Sequence, residues 1–282
     1  MPFTPSHAVV ALPFVRTPLV PAAVAIGAMA PDLPLFVRGL PLNYGRTHDL
    51  TWLPVTVLLA LLLLVVWRCV LRPAVRELSP AWLARRLPAE WDGGAALGLD
   101  ETFGASARRL TTTLLVLASL TVGVITHITW DLFTHEGRAG VELFPMLYEQ
   151  WGPSFGYKWL QYASSAGGLA VIAIWSLVWL RGRHAEPMLR RVLPRAVRGG
   201  WWVSLPVVLA AAALGGYAAF GPFTTEWNVQ HLAYRVLLPA CAVWGAASVV
   251  LALVVQFRRA RAVRRGAVSP ADASVTSERE GS

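Results

Sequence analysis

Residues Leu110 to His135 read LTTTLLVLASLTVGVITHITWDLFTH, and the fold is decided there. No ionisable side chain occurs before His127, so the run to Phe133 is apolar and long enough to cross a bilayer core, which takes about 20 residues of helix. The run ends in His127, Asp131 and His135. Residues four apart stand one above another on a helix, so the three form one polar stripe on an otherwise apolar rod. Imidazole and carboxylate are the usual nitrogen and oxygen donors for zinc and similar divalent ions, and a helix holds them at fixed separation. The plain alternative is a helix end surfacing into water. The stripe contains no Lys, Arg or Ser, and ionisable groups within a span are functional by default, so the metal reading is preferred.

The rest of the composition agrees with a membrane class. Of 282 residues, 55% are hydrophobic and only 15% charged, and the mean hydropathy is +0.51, too apolar for an ordinary soluble domain. The net charge of +9 comes from arginines gathered in particular connections, so it reports orientation relative to a bilayer and gives no support to nucleic-acid binding. Several of the 13 tryptophans, among them Trp52, Trp67, Trp130, Trp201 and Trp202, flank apolar runs where an indole sits at headgroup level. Cys69 and Cys241 have no partner motif and read as packing residues.

The spacing predicts an all-α polytopic bundle of about five spans: Thr51–Val70, Leu110–Phe133, Ser164–Leu180, Trp201–Phe220 and Tyr234–Phe257. The N-terminus lacks a basic secretory leader, so His7 is kept, with Ser6 a candidate cap. Leu19–Ala30 is too short to span and ends in Pro31-Asp32-Leu33-Pro34, which suits a re-entrant, half-membrane hairpin with Asp32 fixed on a rigid turn. Pro80–Leu87 reads as a short amphipathic helix on the membrane surface. The chain shows no internal repeat and no second domain. It divides into a helical membrane domain over 1–257 (hairpin and outer loop 1–50, spans 51–257) and a tail over 258–282, basic at first and then disordered.

Arginine bias orients the spans. The connections at 71–109 and 181–199 and the tail after 257 hold nearly all the arginines, so they face the cytoplasm, C-terminus included. The other connections then face out. His48, Asp32, Asp131 and His135 therefore arrive on one side, joined by His7 if residues 8–31 dip into the membrane and return. In chain order the candidate donors are His7, Asp32, His48, His127, Asp131 and His135. Six exceed the needs of one tetrahedral ion, so two divalent ions, zinc first among the choices, is the natural count for a hydrolytic site. Two ions about 3.5 to 4 Å apart can clamp the attacking and leaving oxygens of a phosphoryl centre. No nucleophile elbow, P-loop or dinucleotide fingerprint is present.

The opening MPFTPSHAVVALP, the APDLP turn, the RTHD segment and the THITWDLFTH helix resemble uncharacterised bacterial membrane proteins grouped near the membrane-bound metal-dependent hydrolases. That group is similar in ligand order to zinc-dependent phospholipase C and the related single-strand nucleases. The resemblance covers roughly the first half of the chain and implies a metal-dependent phosphoesterase. It matches His7, Asp32, His48, His127 and Asp131, with His135 a further candidate. The additional histidine and glutamate ligands of the soluble enzymes have no counterpart here.

Two readings follow. The first is a membrane hydrolase of lipid-linked or envelope phosphoesters among the membrane lipids, with Asp131 or Asp32 as the catalytic carboxylate bridging the ions. The second is a non-enzymatic protein: a transporter with an ion path of intramembrane histidines, or a scaffold around a structural metal. Transporters usually carry a repeated half with interrupted helices in matching positions. A single interrupted segment with no second copy favours the hydrolase.

Overall fold

A computed structural model of the protein describes residues 4–37, 39, 42–264 and 266. Arg38, Arg265 and the tail segment expected to be disordered lie outside these described residues. Five helices are long and apolar enough to cross a membrane: Leu50–Leu78, Ser106–Thr134, Gly156–Arg181, Arg195–Phe220 and Val229–Arg264. The described residues are consistent with an all-α, multi-pass membrane bundle. The only strand pairing among the described residues joins Gln150–Trp151 to Ser154–Phe155.

The helices outrun the apolar runs that announce them. The third begins at Gly156 instead of Ser164, and the fifth extends from Val229 to Arg264 instead of from Tyr234 to Phe257. An apolar run measures the hydrocarbon slab, whereas a helix continues for as long as its backbone bonds and caps allow. Asn228, for example, caps the fifth by accepting from the backbone N–H groups of Gln230 and His231, and arginine at its far end is a good helix former.

Contacts divide the chain into two compact units, Met1–Val65 with Leu99–Gly182 and Val66–Gly98 with Arg183–Ser282. In the first unit, a 3-10 helix over Thr4–Arg16 is followed by a turn and an α-helix over Pro21–Met29. Pro21 suits a helix start because its missing N–H falls where no partner exists. This hairpin packs on one face of the second span, which buries Val116, Ser119, Leu120, Gly123, Val124, His127 and Asp131.

The contact is backbone on backbone. A Cβ on Gly123 would lie 2.2 Å from the Val24 carbonyl oxygen, and one on Gly27 would lie 2.3 Å from that of Leu120. Small residues permit this approach where a larger side chain would hold the helices apart. The backbone N–H of Val20 donates to Ser119 Oγ at 2.9 Å, which ties the hairpin turn to the middle of the second span. On the other side, Gly168 of the third span lets the backbone of Ser6 pass, since a Cβ there would sit 2.9 Å from the Ser6 carbonyl oxygen.

The second unit has its own core of Ala74, Leu78, Leu193, Ala252 and Val255. Around it runs a buried ion network. Arg76, 1% exposed, pairs with Asp92 and donates to the carbonyls of Ala84 and Pro187. Glu77 accepts from the backbone of Val192 and Leu193 and faces Arg198 and Arg259, each at 3.7 Å. The expected surface helix over Pro80–Leu87 shrinks to Ala81–Ala84. Ala84 and Leu87 are buried, and the hold of Arg76 on the Ala84 carbonyl shows that this segment packs into the unit.

Candidate metal centre

The face of the second span that packs against the hairpin continues upward into His127 and Asp131. The hairpin ends at the same level, because the Pro21–Met29 helix tightens into a 3-10 turn over Ala30–Asp32 that leaves Asp32 fully buried. His48 arrives from a one-turn helix, Tyr44–Thr47, capped by the Asn43 side chain and anchored by Thr47, whose hydroxyl donates to the Pro31 carbonyl at 2.7 Å. Asp32, His48, His127 and Asp131 thereby each present one ligand atom, all within 4.8 Å of one another, and all four residues are buried.

Hydrogen bonding fixes which imidazole nitrogens are free. His127 Nδ1 lies 2.7 Å from the Ala28 carbonyl and His48 Nδ1 lies 2.9 Å from that of Tyr44. A carbonyl only accepts, so both Nδ1 atoms carry a proton, and in the neutral rings Nε2 is the atom left with a lone pair. Those two Nε2 atoms face each other at 3.0 Å. Two neutral rings in this tautomer set lone pair against lone pair; a proton on one ring or a metal ion bound by both relieves that.

The distances suit such an ion. His48 Nε2 is 3.8 Å from Asp32 Oδ1 and 3.4 Å from Asp131 Oδ2, and His127 Nε2 is 3.6 Å from each of the same oxygens. Donors at tetrahedral bond lengths of about 2.0–2.1 Å stand about 3.3–3.4 Å apart, so the four atoms outline a coordination shell. The carbonyls and hydroxyls behind them orient the ligands, as outer partners of metal sites do. Thr4 Oγ1 donates to Asp32 Oδ2 at 2.7 Å, and the Tyr44 hydroxyl donates to Asp131 Oδ2 at 3.3 Å. Asp32 Oδ1, Asp131 Oδ1 and His7 Nε2 are buried without a hydrogen-bond partner.

His7 and His135 stand at the edge of this group. The His7 ring lies 4.1 Å from that of His127, and its Nε2 is 3.9 Å from Asp131 Oδ1. Burial, with His127 beside it, pushes His7 down to about 3, so the imidazole is neutral at ordinary pH. The expected stripe runs through His127 and Asp131, and His135, although its backbone turns extended (φ −128°, ψ 138°), keeps Nδ1 3.6 Å from Asp131 Oδ2. There Nδ1 is 3.2 Å from the Asp131 carbonyl, and His135 stays outside the four-atom group. Burial pushes it down to about 4. Burial also raises Asp32, an electrostatic cost that a cation between the carboxylates offsets.

Tyr44 escapes the sequence reading. Its ring lies 3.8 Å from that of His48 while its hydroxyl holds Asp131. Burial and the nearby Asp131 carboxylate push that phenol up, so it keeps its proton and donates. The signal was present as Asn43 capping a turn in which Tyr44 and His48 stand four apart. Asp49, beside His48 in the RTHD segment, is a cap instead and accepts from the Thr51 backbone at 2.8 Å.

Residues 1–257 match the model of one family, described as a domain of unknown function (DUF4184), and the chain belongs to it. No curated protein and no solved structure matches the chain. The expected kinship with hydrolases and phospholipase C therefore has no relative behind it, and an activity is argued from the site alone.

Proposed function

For this DUF4184 protein we propose an inner-membrane hydrolase that uses a divalent ion, zinc first, to cleave a lipid-linked or envelope phosphoester, with the arginine-rich connections and the tail in the cytoplasm. The carrying observation is the buried convergence of two imidazole Nε2 atoms, 3.0 Å apart, with the carboxylates of Asp32 and Asp131. A divalent ion held there supplies a Lewis acid that polarises a phosphoryl oxygen and lowers the pKa of water.

The chain's own groups supply the rest. His48, His127, Asp32 and Asp131 would hold the ion, and Tyr44 and Thr4 fix the two carboxylates. His7, neutral and with a free Nε2, is placed to take a proton from an attacking water. The water oxygen bonds to phosphorus, the P–O ester bond breaks, and the proton passes to the departing alcohol oxygen. The hairpin whose turn reaches only the middle of the second span supports a re-entrant N-terminus, with His7 and Asp32 at its two ends.

A structural ion is the second reading, favoured by one observation: four protein donors already close a tetrahedron, as structural zinc sites do. Two carboxylates in the set also suit ions that take more than four ligands and so keep positions open. Full-length protein in nanodiscs, loaded with zinc or manganese and given bis(p-nitrophenyl) phosphate, separates the readings. The hydrolase reading expects turnover that a chelator abolishes and that His7→Ala lowers about 10²- to 10⁴-fold, the usual weight of a general base, with ion content kept. Ion-dependent thermal stability with turnover no higher than that of His127→Ala would establish the structural ion.

A further inference from the structure

A cleft of about 590 Å³ opens beside the donor cluster. The N-terminal 3-10 helix and the second and third spans form its walls. At its polar end stand His7 and His127; beyond them the lining is Val9, Val10, Ile125 and Val171. Two of the four hydroxyls in the wall are engaged with backbone carbonyls. Thr126 Oγ1 donates to the Gly123 carbonyl at 2.8 Å and Ser164 Oγ to that of Gln161 at 3.1 Å, so both residues show carbon to the cleft. Away from the two histidines the wall is predominantly apolar.

The cleft also lies well below the ends of the two candidate spans that line it. At 1.5 Å of rise per residue, Trp130 stands about 6 Å below the upper end of the second span and Ile125 about 14 Å; on the third span, Val171 stands about 22 Å below Gly156. A bilayer core is about 30 Å thick. Ile125, Trp130 and Val171 are 39%, 39% and 47% exposed, so the cleft opens sideways, toward what surrounds the spans.

We infer that this cleft receives the hydrocarbon chain of a membrane lipid from the side and brings its phosphoester head to the donor cluster. The inference rests on the hydrolase reading for the head end only; the chain end rests on the cleft. His7, 8% exposed and with Nε2 unpartnered, is aimed into the junction between the two. The arrangement matches an outer-leaflet lipid in its ordinary posture, head up and chain down. Acyl and polyprenyl chains share this chemistry.

The test uses full-length protein in phosphatidylglycerol nanodiscs with two photoreactive probes: a phospholipid and a polyprenyl phosphate, each carrying a mid-chain diazirine. The expected result is covalent label on residues 125–130 and 164–171 from at least one probe, and the more efficient probe identifies the chain. Val171→Trp and Ile125→Trp fill the cleft without touching a donor. Each should lower that labelling about tenfold, the equivalent of about 1.4 kcal/mol of lost burial, with ion content and thermal midpoint unchanged as proof of folding. Label spread evenly over all the spans, or unmoved in both folded variants, would overturn the inference even in a protein that hydrolyses soluble phosphodiesters. An ion-free, inactive protein that still labels at these residues would sink the hydrolase reading and leave the cleft assigned to lipid.

Discussion

At the scale of single residues, each donor is defined by what holds it from behind. His127 is set by the Ala28 carbonyl and His48 by that of Tyr44, so the ion position depends on main-chain groups of two other segments. The types and order of the donors were legible in the sequence, because histidine and aspartate are rare in apolar runs and each has a limited chemistry. Their ranking was not, because it turns on ring orientation. His135 follows Asp131 at the same spacing that separates His127 from Asp131 and keeps Nδ1 3.6 Å from Asp131 Oδ2, yet it lies outside the four donors that are mutually close. We expect His127→Ala and Asp131→Asn to reduce bound divalent metal from about one ion per chain to none, since closed donor sets lose affinity steeply when one ligand goes. His135→Ala should retain the ion. Metal analysis of the purified proteins checks this, and loss of the ion in His135→Ala would return that residue to the ligand set.

At the scale of elements, the hairpin was legible through a shortage. Leu19–Ala30 is short for a crossing, which points to a segment that turns back and brings its two ends together. What no single sequence reveals is where the hairpin leans, since Gly27 and Gly123 are individually unremarkable glycines in apolar helices. The crossing they form is specific: a Cβ on Gly123 would meet main-chain atoms of Val24 and Ala28 at 2.2 and 2.7 Å, and backbone cannot rotate aside as a side chain can. We expect Gly123→Ala to cost about 1–3 kcal/mol, as overpacking does. It should also lower ion content, because the same displacement pulls the Ala28 carbonyl from His127. Gly167→Ala, which meets nothing within 4 Å, should change neither quantity. Thermal unfolding in detergent with parallel metal analysis reads both, and a Gly123→Ala protein as stable and as metal-rich as the parent would contradict the close crossing.

At the scale of the whole molecule, five spans were legible because length and apolarity are direct physical requirements of a bilayer. The meaning of the arginines was only half legible. Their crowding in alternate connections indicates a cytoplasmic side, yet Arg76, Arg198 and Arg259 are engaged with Glu77 and Asp92, pairings across long sequence separations that composition cannot show. Once paired, these side chains offer less free charge to an anionic surface, and the orientation rests more on such exposed residues as Arg190. That makes orientation a test worth running directly. Cys69 is buried, and Cys241 can be replaced by serine to leave a quiet background. In that background a cysteine at Met146, 54% exposed in the connection after the donor helix, should react with a membrane-impermeant maleimide added to intact cells. A cysteine at Arg190 should react only after the membrane is opened. The reverse pattern would place the donor cluster at the cytoplasmic face, where its lipid would have to come from the inner leaflet and an envelope substrate would be out of reach.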